Sequence, residues 1–357
     1  MGGLGAAGAR LHLVLAITGA LAACGPTNPA PAARPRAHRG AALAYLPSMD
    51  RFVLFGGATG DVFHPDGLNT KLLTGDTWLF GPESWERLDV TGPSPRAFAA
   101  MAYDPGRGEL ILFGGIADAS PDCPSPEDGG FCHDTWSFDG AAWTKIASHP
   151  GHGRARHAMA YAPDEGALMV VGGLGPTREG LAIDPVFLHG PALRTTPRTK
   201  AQALHSVGLV WHERWSMMLL FGGLDEAGCD GRGVRNPLTF AWVSGQWRLL
   251  HPALHPGRSS AAWFFDQHLG QVVAHGGVTE SGVCRGIEDY NGTSVFADSG
   301  WHAFDGEAPE PRLAAAVATD PTRGRTLLFG GFVNYYSGYG ALHDTWSWRD
   351  GRWSQDD

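Results

Sequence analysis

The sequence predicts an all-β fold, a ring of six units with four antiparallel strands each: a six-bladed β-propeller. Three observations carry this. A glycine doublet recurs at Gly56-Gly57, Gly114-Gly115, Gly172-Gly173, Gly222-Gly223, Gly276-Gly277 and Gly330-Gly331, at spacings of 58, 58, 50, 54 and 54 residues. A period near fifty marks one supersecondary unit copied along the chain. Each doublet closes an apolar run bounded by glycine, proline or aspartate, the signature of strands rather than helices. After three of the doublets comes Asp-Thr-Trp with a second tryptophan seven residues on: Trp78 and Trp85, Trp136 and Trp143, Trp346 and Trp353.

The second unit shows the layout most plainly. Ala97 to Tyr103 reads as strand a, Asp104 to Gly108 as a turn, and Glu109 to Phe113 as strand b. A long loop follows the doublet. Asp134 to Phe138 is then strand c, Asp139-Gly140 a turn, and Ala142 to Ile146 strand d. Unit 4 keeps a looser tryptophan pair, Trp242 and Trp247, and unit 5 keeps Trp301. Unit 3 is degenerate: Val186 to Thr196 fits two strands but holds no tryptophan.

One four-stranded meander cannot bury both of its faces, so copies must stack, and a closed ring leaves only short edges. Glycine at the end of strand b admits neighbouring backbone where a Cβ would clash. Tryptophan fills the widening outer gap between blades. The first repeat starts at strand a and the last ends at strand d. Closure without a swapped strand is therefore expected, with blade 1 packed on blade 6.

Glycine at 51 and proline at 25 residues would suggest disorder if scattered, but here they keep fixed places in the period. With 13 tryptophans and 43% hydrophobic residues, the 357-residue chain has ample material for a buried β core. The formal net charge is −9 with no basic stripe, which argues against nucleic acid as a partner.

Residues 1–23 read as a secretory signal: Arg10 supplies the positive end, and Leu11 to Ala23 an apolar stretch too short to span a bilayer comfortably. The ending Leu21-Ala22-Ala23-Cys24 resembles the lipobox of bacterial lipoproteins, which implies acylation of Cys24. Residues 24–38 are rich in proline and alanine and read as an extended tether to a body spanning 39–357. The expected place is the bacterial cell envelope, extracytoplasmic and lipid-anchored, with a monomeric body.

The register of six doublets, the arginine-led strands and the Asp-Thr-Trp/Trp pairs resemble the kelch repeat over residues 39–355. The resemblance implies a propeller with each repeat one blade. It also implies that arginines at the mouth of the central channel can line a partner-binding pocket.

Once Cys24 is set aside, four cysteines remain. Cys123 and Cys132 share one loop, while Cys229 and Cys284 occupy equivalent loops of adjacent blades. In an oxidising compartment these spacings suggest Cys123–Cys132 and Cys229–Cys284 bridges, with four free thiols the alternative.

A meander places the b–c loops and d–a connections on one face, and variable loops on a rigid frame usually carry function. Candidate ligand-binding residues there are Arg39, Arg96, Arg156, Arg258 and Arg312, each leading into a strand a, with Asp225, Tyr290, Tyr335, Tyr336 and Tyr339 from the loops. A ring of guanidiniums suits carboxylates or sulfates because each offers a bidentate fork. The competing reading is that these arginines pair with carboxylates between blades. The 16 histidines include a cluster at His149, His152 and His157, but no ligand set for zinc accompanies it. No metal, cofactor or catalytic constellation is expected.

The leading functional expectation is a non-catalytic binding or scaffold lipoprotein that presents its loop face to a protein or glycan. The alternative is a periplasmic sugar-processing enzyme resembling the kelch-type sialic acid epimerases, whose anionic substrate would suit the arginines.

Overall fold

A computed structural model describes residues 1–2, 34–36, 38–64, 67–121, 123, 130–176, 185–196, 204–225, 234–251, 257–280, 288–290, 292–297, 300–333 and 340–356. Residues 1–32 and 33–357 form separate units, and of the first only Met1 and Gly2 are described. Among the described residues no helix is long and apolar enough to cross a membrane.

The second unit is a β-propeller of six blades, each a meander of four antiparallel strands a–d from contiguous sequence. Blade 1 comprises Ala42–Leu46, Arg51–Phe55, Thr77–Phe80 and Trp85–Leu88. Blade 2 comprises Ala100–Asp104, Glu109–Phe113, Asp134–Phe138 and Trp143–Ser148. Blade 3 uses Ala158–Ala162, Ala167–Val171, Val186–His189 and Ala192–Thr195, so the degenerate repeat still makes four strands. Blade 4 uses Gly208–His212, Met217–Phe221, Thr239–Val243 and Gln246–His251. Blade 5 uses Ser259–Asp266, Gln271–Glu280, Thr293–Ala297 and Gly300–Ala303, with Glu288–Tyr290 added to strand b. Blade 6 uses Ala316–Asp320, Arg325–Phe329, Thr345–Arg349 and Arg352–Gln355. One short 3-10 turn, Thr70–Leu72, sits in the blade 1 loop.

The six strands a touch one another in turn, from blade 1 round to blade 6 and back to blade 1. The core is accordingly six seams rather than one mass. Leu43, Phe52 and Leu54 of blade 1, for example, pack on Leu327 and Phe329 of blade 6. Each further seam has its own apolar cluster. Among the described residues no strand is swapped. The 6–1 seam closes by packing, and Trp85 Nε1 donates to Thr345 Oγ1 at 2.9 Å.

The doublets explain how the blades sit so close. All twelve doublet glycines have positive φ, between +61° and +106°. A Cβ on the first glycine would lie 2.0–2.7 Å from the carbonyl oxygen of the residue leading into the next blade. The N–H of the second glycine donates to that same carbonyl at 2.8–2.9 Å in all six blades. Blade 6 finds its acceptor at His38, so a residue ahead of the first strand completes the circle.

Strand a of blade 2 starts later than the sequence pattern implies. Phe98 holds φ +59°, which interrupts extended backbone, and Arg96–Ala97 pair instead with Ile116–Ala117 beyond the doublet. Cys123 and Cys132 form a disulfide. Cys24, Cys229 and Cys284 lie outside the described residues.

Candidate functional site

The connection into each strand a carries three successive positions with separate duties. The first, the lead position, holds His38, Arg96, Arg154, Leu204, Arg258 and Arg312, all buried. Its carbonyl accepts the N–H of the second doublet glycine of the preceding blade. The second pairs with backbone just past the same blade's doublet: Arg39 with Ala58, Ala155 with Leu174, His205 with Leu224, Leu313 with Phe332. The third forms a collar of Gly40, Phe98, Arg156, Ser206, Ser260 and Ala314, every one at φ between +49° and +62°. Each collar N–H donates to the carbonyl of the collar residue in the preceding blade at 2.7–3.1 Å, and Gly40 donates to Ala314. Six hydrogen bonds thus run unbroken around the mouth of the channel.

The five sequence-predicted arginines do not make one ring, because they occupy three different positions. Arg96 is 1% exposed, and its Nη1 and Nη2 donate to Asp134 Oδ1 and Oδ2 at 2.6 and 2.9 Å. Arg312 holds Asp344 in the same fork. The carboxylates also accept from Trp136 and Trp346, which ties the arginine, strand c and the tryptophan of the Asp-Thr-Trp triplet together. These pairs lie within a blade, not between blades. Arg258, whose blade has no such aspartate, donates to Ser294 Oγ at 3.1 Å, and burial lowers its pKa to about 10. Arg154, which the sequence reading passed over, is buried with its pKa likewise lowered to about 10 and donates to Gly172 O.

A count from the doublet would have separated these roles. Arg96, Arg154 and Arg312 each precede the glycine whose carbonyl they cap by 18 residues. Arg39 and Arg156 stand 17 and 16 residues before theirs. Only these last two reach the mouth.

A cavity of about 300 Å³ opens above the collar. Among its described lining residues are three guanidiniums, Arg39, Arg156 and Arg235, and no carboxylate. Arg235 was not legible in sequence, since it enters from the irregular blade 4 loop, where Val234–Arg235 pairs with Leu224–Asp225. Its Nε donates to Ser259 Oγ at 3.2 Å. Phe98 sits between the other two, with Arg39 Cζ at 5.6 Å and Arg156 Cζ at 4.9 Å from its ring centroid. Arg39 also stacks over Phe332 at 4.8 Å, and its Nη1 meets Asp61 Oδ1 at 3.0 Å. Cation–π contact on an aromatic ring holds a guanidinium plane while leaving its N–H edge available for hydrogen bonds.

His157 borders the cavity, but its ring nitrogens are buried and its ring packs on Phe113 at 5.5 Å. Burial pushes its pKa down to about 3, so it stays neutral. Among the described residues the cluster His149, His152 and His157 brings no three ligand atoms together. Asp225 is half-buried next to the lining residue Leu224. Tyr290 pairs with Val278 through its backbone, and its side chain is not among those described. Tyr335, Tyr336 and Tyr339 lie outside the described residues.

No family model matches the chain. Among solved structures it is similar to that of YjhT, with a TM-score of 0.65 and 14% sequence identity over 90% of this chain and 98% of that one. At such identity the likeness shows the fold.

Proposed function

We propose that the chain is a kelch-type, lipid-tethered binding protein of the bacterial envelope whose upper channel mouth takes an acidic group of a glycan or protein partner. The observation that carries this reading is the charge of the cavity wall: among the described lining residues of about 300 Å³ there are three guanidiniums and no carboxylate. Forked N–H donors suit carboxylate and sulfate, and a partly enclosed site weakens solvent screening. A cavity of this size admits one sugar ring or one side chain.

A second reading uses the same cavity for sugar processing, of the kind expected from resemblance to sialic acid epimerases. The Arg39–Asp61 pair favours it, since a carboxylate beside an anion-holding arginine can move a proton.

Calorimetry of the purified body against acidic sugars and their neutral counterparts tests binding, with anomeric exchange followed in parallel by NMR. Acidic members should bind, and Arg156→Ala should weaken them about tenfold or more. Equal binding of neutral and acidic sugars would remove the anion site. Turnover that is lost in Asp61→Asn would replace the binding role with the enzymatic one.

A further inference from the structure

The opposite end of the channel holds a larger cavity, about 420 Å³, with a different chemistry. One level of strand a lines it at the repeat spacing: Tyr45, Tyr103, Tyr161, Trp211, Phe265 and Thr319. Two residues further on, four blades place a proline at the rim, and blade 4 places Glu213 and blade 5 Gln267.

Tyr45 and Phe265 are buried, and the Tyr45 hydroxyl is spent on Asp50 Oδ1 at 2.7 Å. Tyr103, Tyr161 and Trp211 are only half-buried. They come from consecutive blades, lean on the neighbouring seams, and present their remaining surface to the cavity. The result is an aromatic arc on one side of the mouth.

Glu213 stands exposed at the end of that arc, and it is the one ionisable acid or base among the described lining residues apart from the tyrosines. Gln267 Nε2 donates to its Oε1 at 2.6 Å, which fixes the carboxylate without cancelling its charge. The adjacent Arg214 lines a separate cleft with Leu269 and Gly270. Among the described lining residues, the upper mouth thus carries guanidiniums and the lower mouth a carboxylate.

We propose that the lower mouth is a binding site for a soluble organic ammonium ion with an apolar body, a quaternary ammonium being the simplest form. Ring faces carry negative quadrupole density, so an arc of aromatic surface attracts a diffuse cation, and one carboxylate completes the match. An alkali cation is too strongly hydrated to use such a wall, and a neutral apolar ligand makes no use of Glu213. This site is independent of the reading given to the upper mouth.

Choline and tetramethylammonium are titrated into the full chain by calorimetry and Trp fluorescence, beside the neutral isostere 3,3-dimethylbutan-1-ol. Saturable binding of the two cations is expected, with the alcohol about tenfold weaker or more. Glu213→Gln, at an exposed position that leaves the fold intact, should weaken choline several-fold, Trp211→Leu about tenfold, and Arg156→Ala not at all. Equal affinity for choline and the alcohol would overturn the proposal, as would unchanged choline binding in Glu213→Gln. Retention on phosphatidylcholine vesicles without binding of free choline would overturn the choice of a soluble ligand.

Discussion

Gly108 and Gly114 lie six residues apart, both at φ near +70°, yet only Gly114 is wedged against another blade. A Cβ at Gly108 meets nothing within 4 Å, whereas one at Gly114 would lie 2.5 Å from Arg154 O. Gly108→Ala should therefore cost about 1 kcal/mol of backbone strain, and Gly114→Ala about 3 kcal/mol or more, in denaturant unfolding. A similar contrast governs the buried histidines. Desolvation lowers the pKa of His38 to about 4 and of His157 and His275 to about 3, below the usual 6.5. The unfolded chain then binds more protons than the folded one in this interval, so the stabilising effect is full above pH 6.5 and fades as pH falls toward 4. Val207 occupies in blade 4 the place of His157. His157→Val should accordingly flatten the loss of melting temperature between pH 6.5 and 4.5, and an unchanged slope would exclude His157 as a cause. The doublets announced the close approach because only glycine tolerates it. The split of the arginines into buried struts and mouth residues was hidden, since it turns on a shift of one or two positions along a common pattern.

The second tryptophan of each pair does more than fill space between blades. Trp85, Trp143 and Trp353 of strand d each donate to a strand c threonine of the preceding blade, Thr345, Thr77 and Thr293, at 2.9 Å. Blade 3 has Leu193 where these blades have tryptophan, and Thr135, the corresponding strand c threonine of blade 2, is left with a buried Oγ1 lacking a partner. The pattern had exposed the missing tryptophan, but not the orphan it leaves, which depends on which blade lies next to which. Trp143→Phe should cost about 1–3 kcal/mol by stranding the Thr77 hydroxyl, and Leu193→Trp should recover about 1 kcal/mol by giving Thr135 a donor. Urea unfolding of both variants checks the pair. Blade 1 departs in another way: His38 replaces the lead arginine, and Asp76 turns to Arg87 at 2.6 Å instead. That exchange trades a buried fork for an exposed ion pair of little energetic weight.

Across the molecule, the repeat made the six blades and their four strands legible because burial demands them wherever the pattern recurs. Closure without a swapped strand was legible too, but not which residues complete the circle. His38 and Gly40 stand ahead of the first strand and supply both the last doublet acceptor and the last collar link: Gly331 N–H donates to His38 O at 2.9 Å, and Gly40 N–H to Ala314 O at 3.0 Å. The same short stretch carries Arg39 into the upper mouth, so the residues that close the ring also build the candidate site. Arg323 reinforces the lower side of this seam by pairing with Asp50. Native-state hydrogen exchange measures the closure directly, since amides in one cooperative unit open together. Gly331 and Gly40 should exchange within about tenfold of their counterparts Gly115 and Phe98 in the interior of the ring; exchange of the two seam amides several orders of magnitude faster would contradict a propeller closed at residues 38–40.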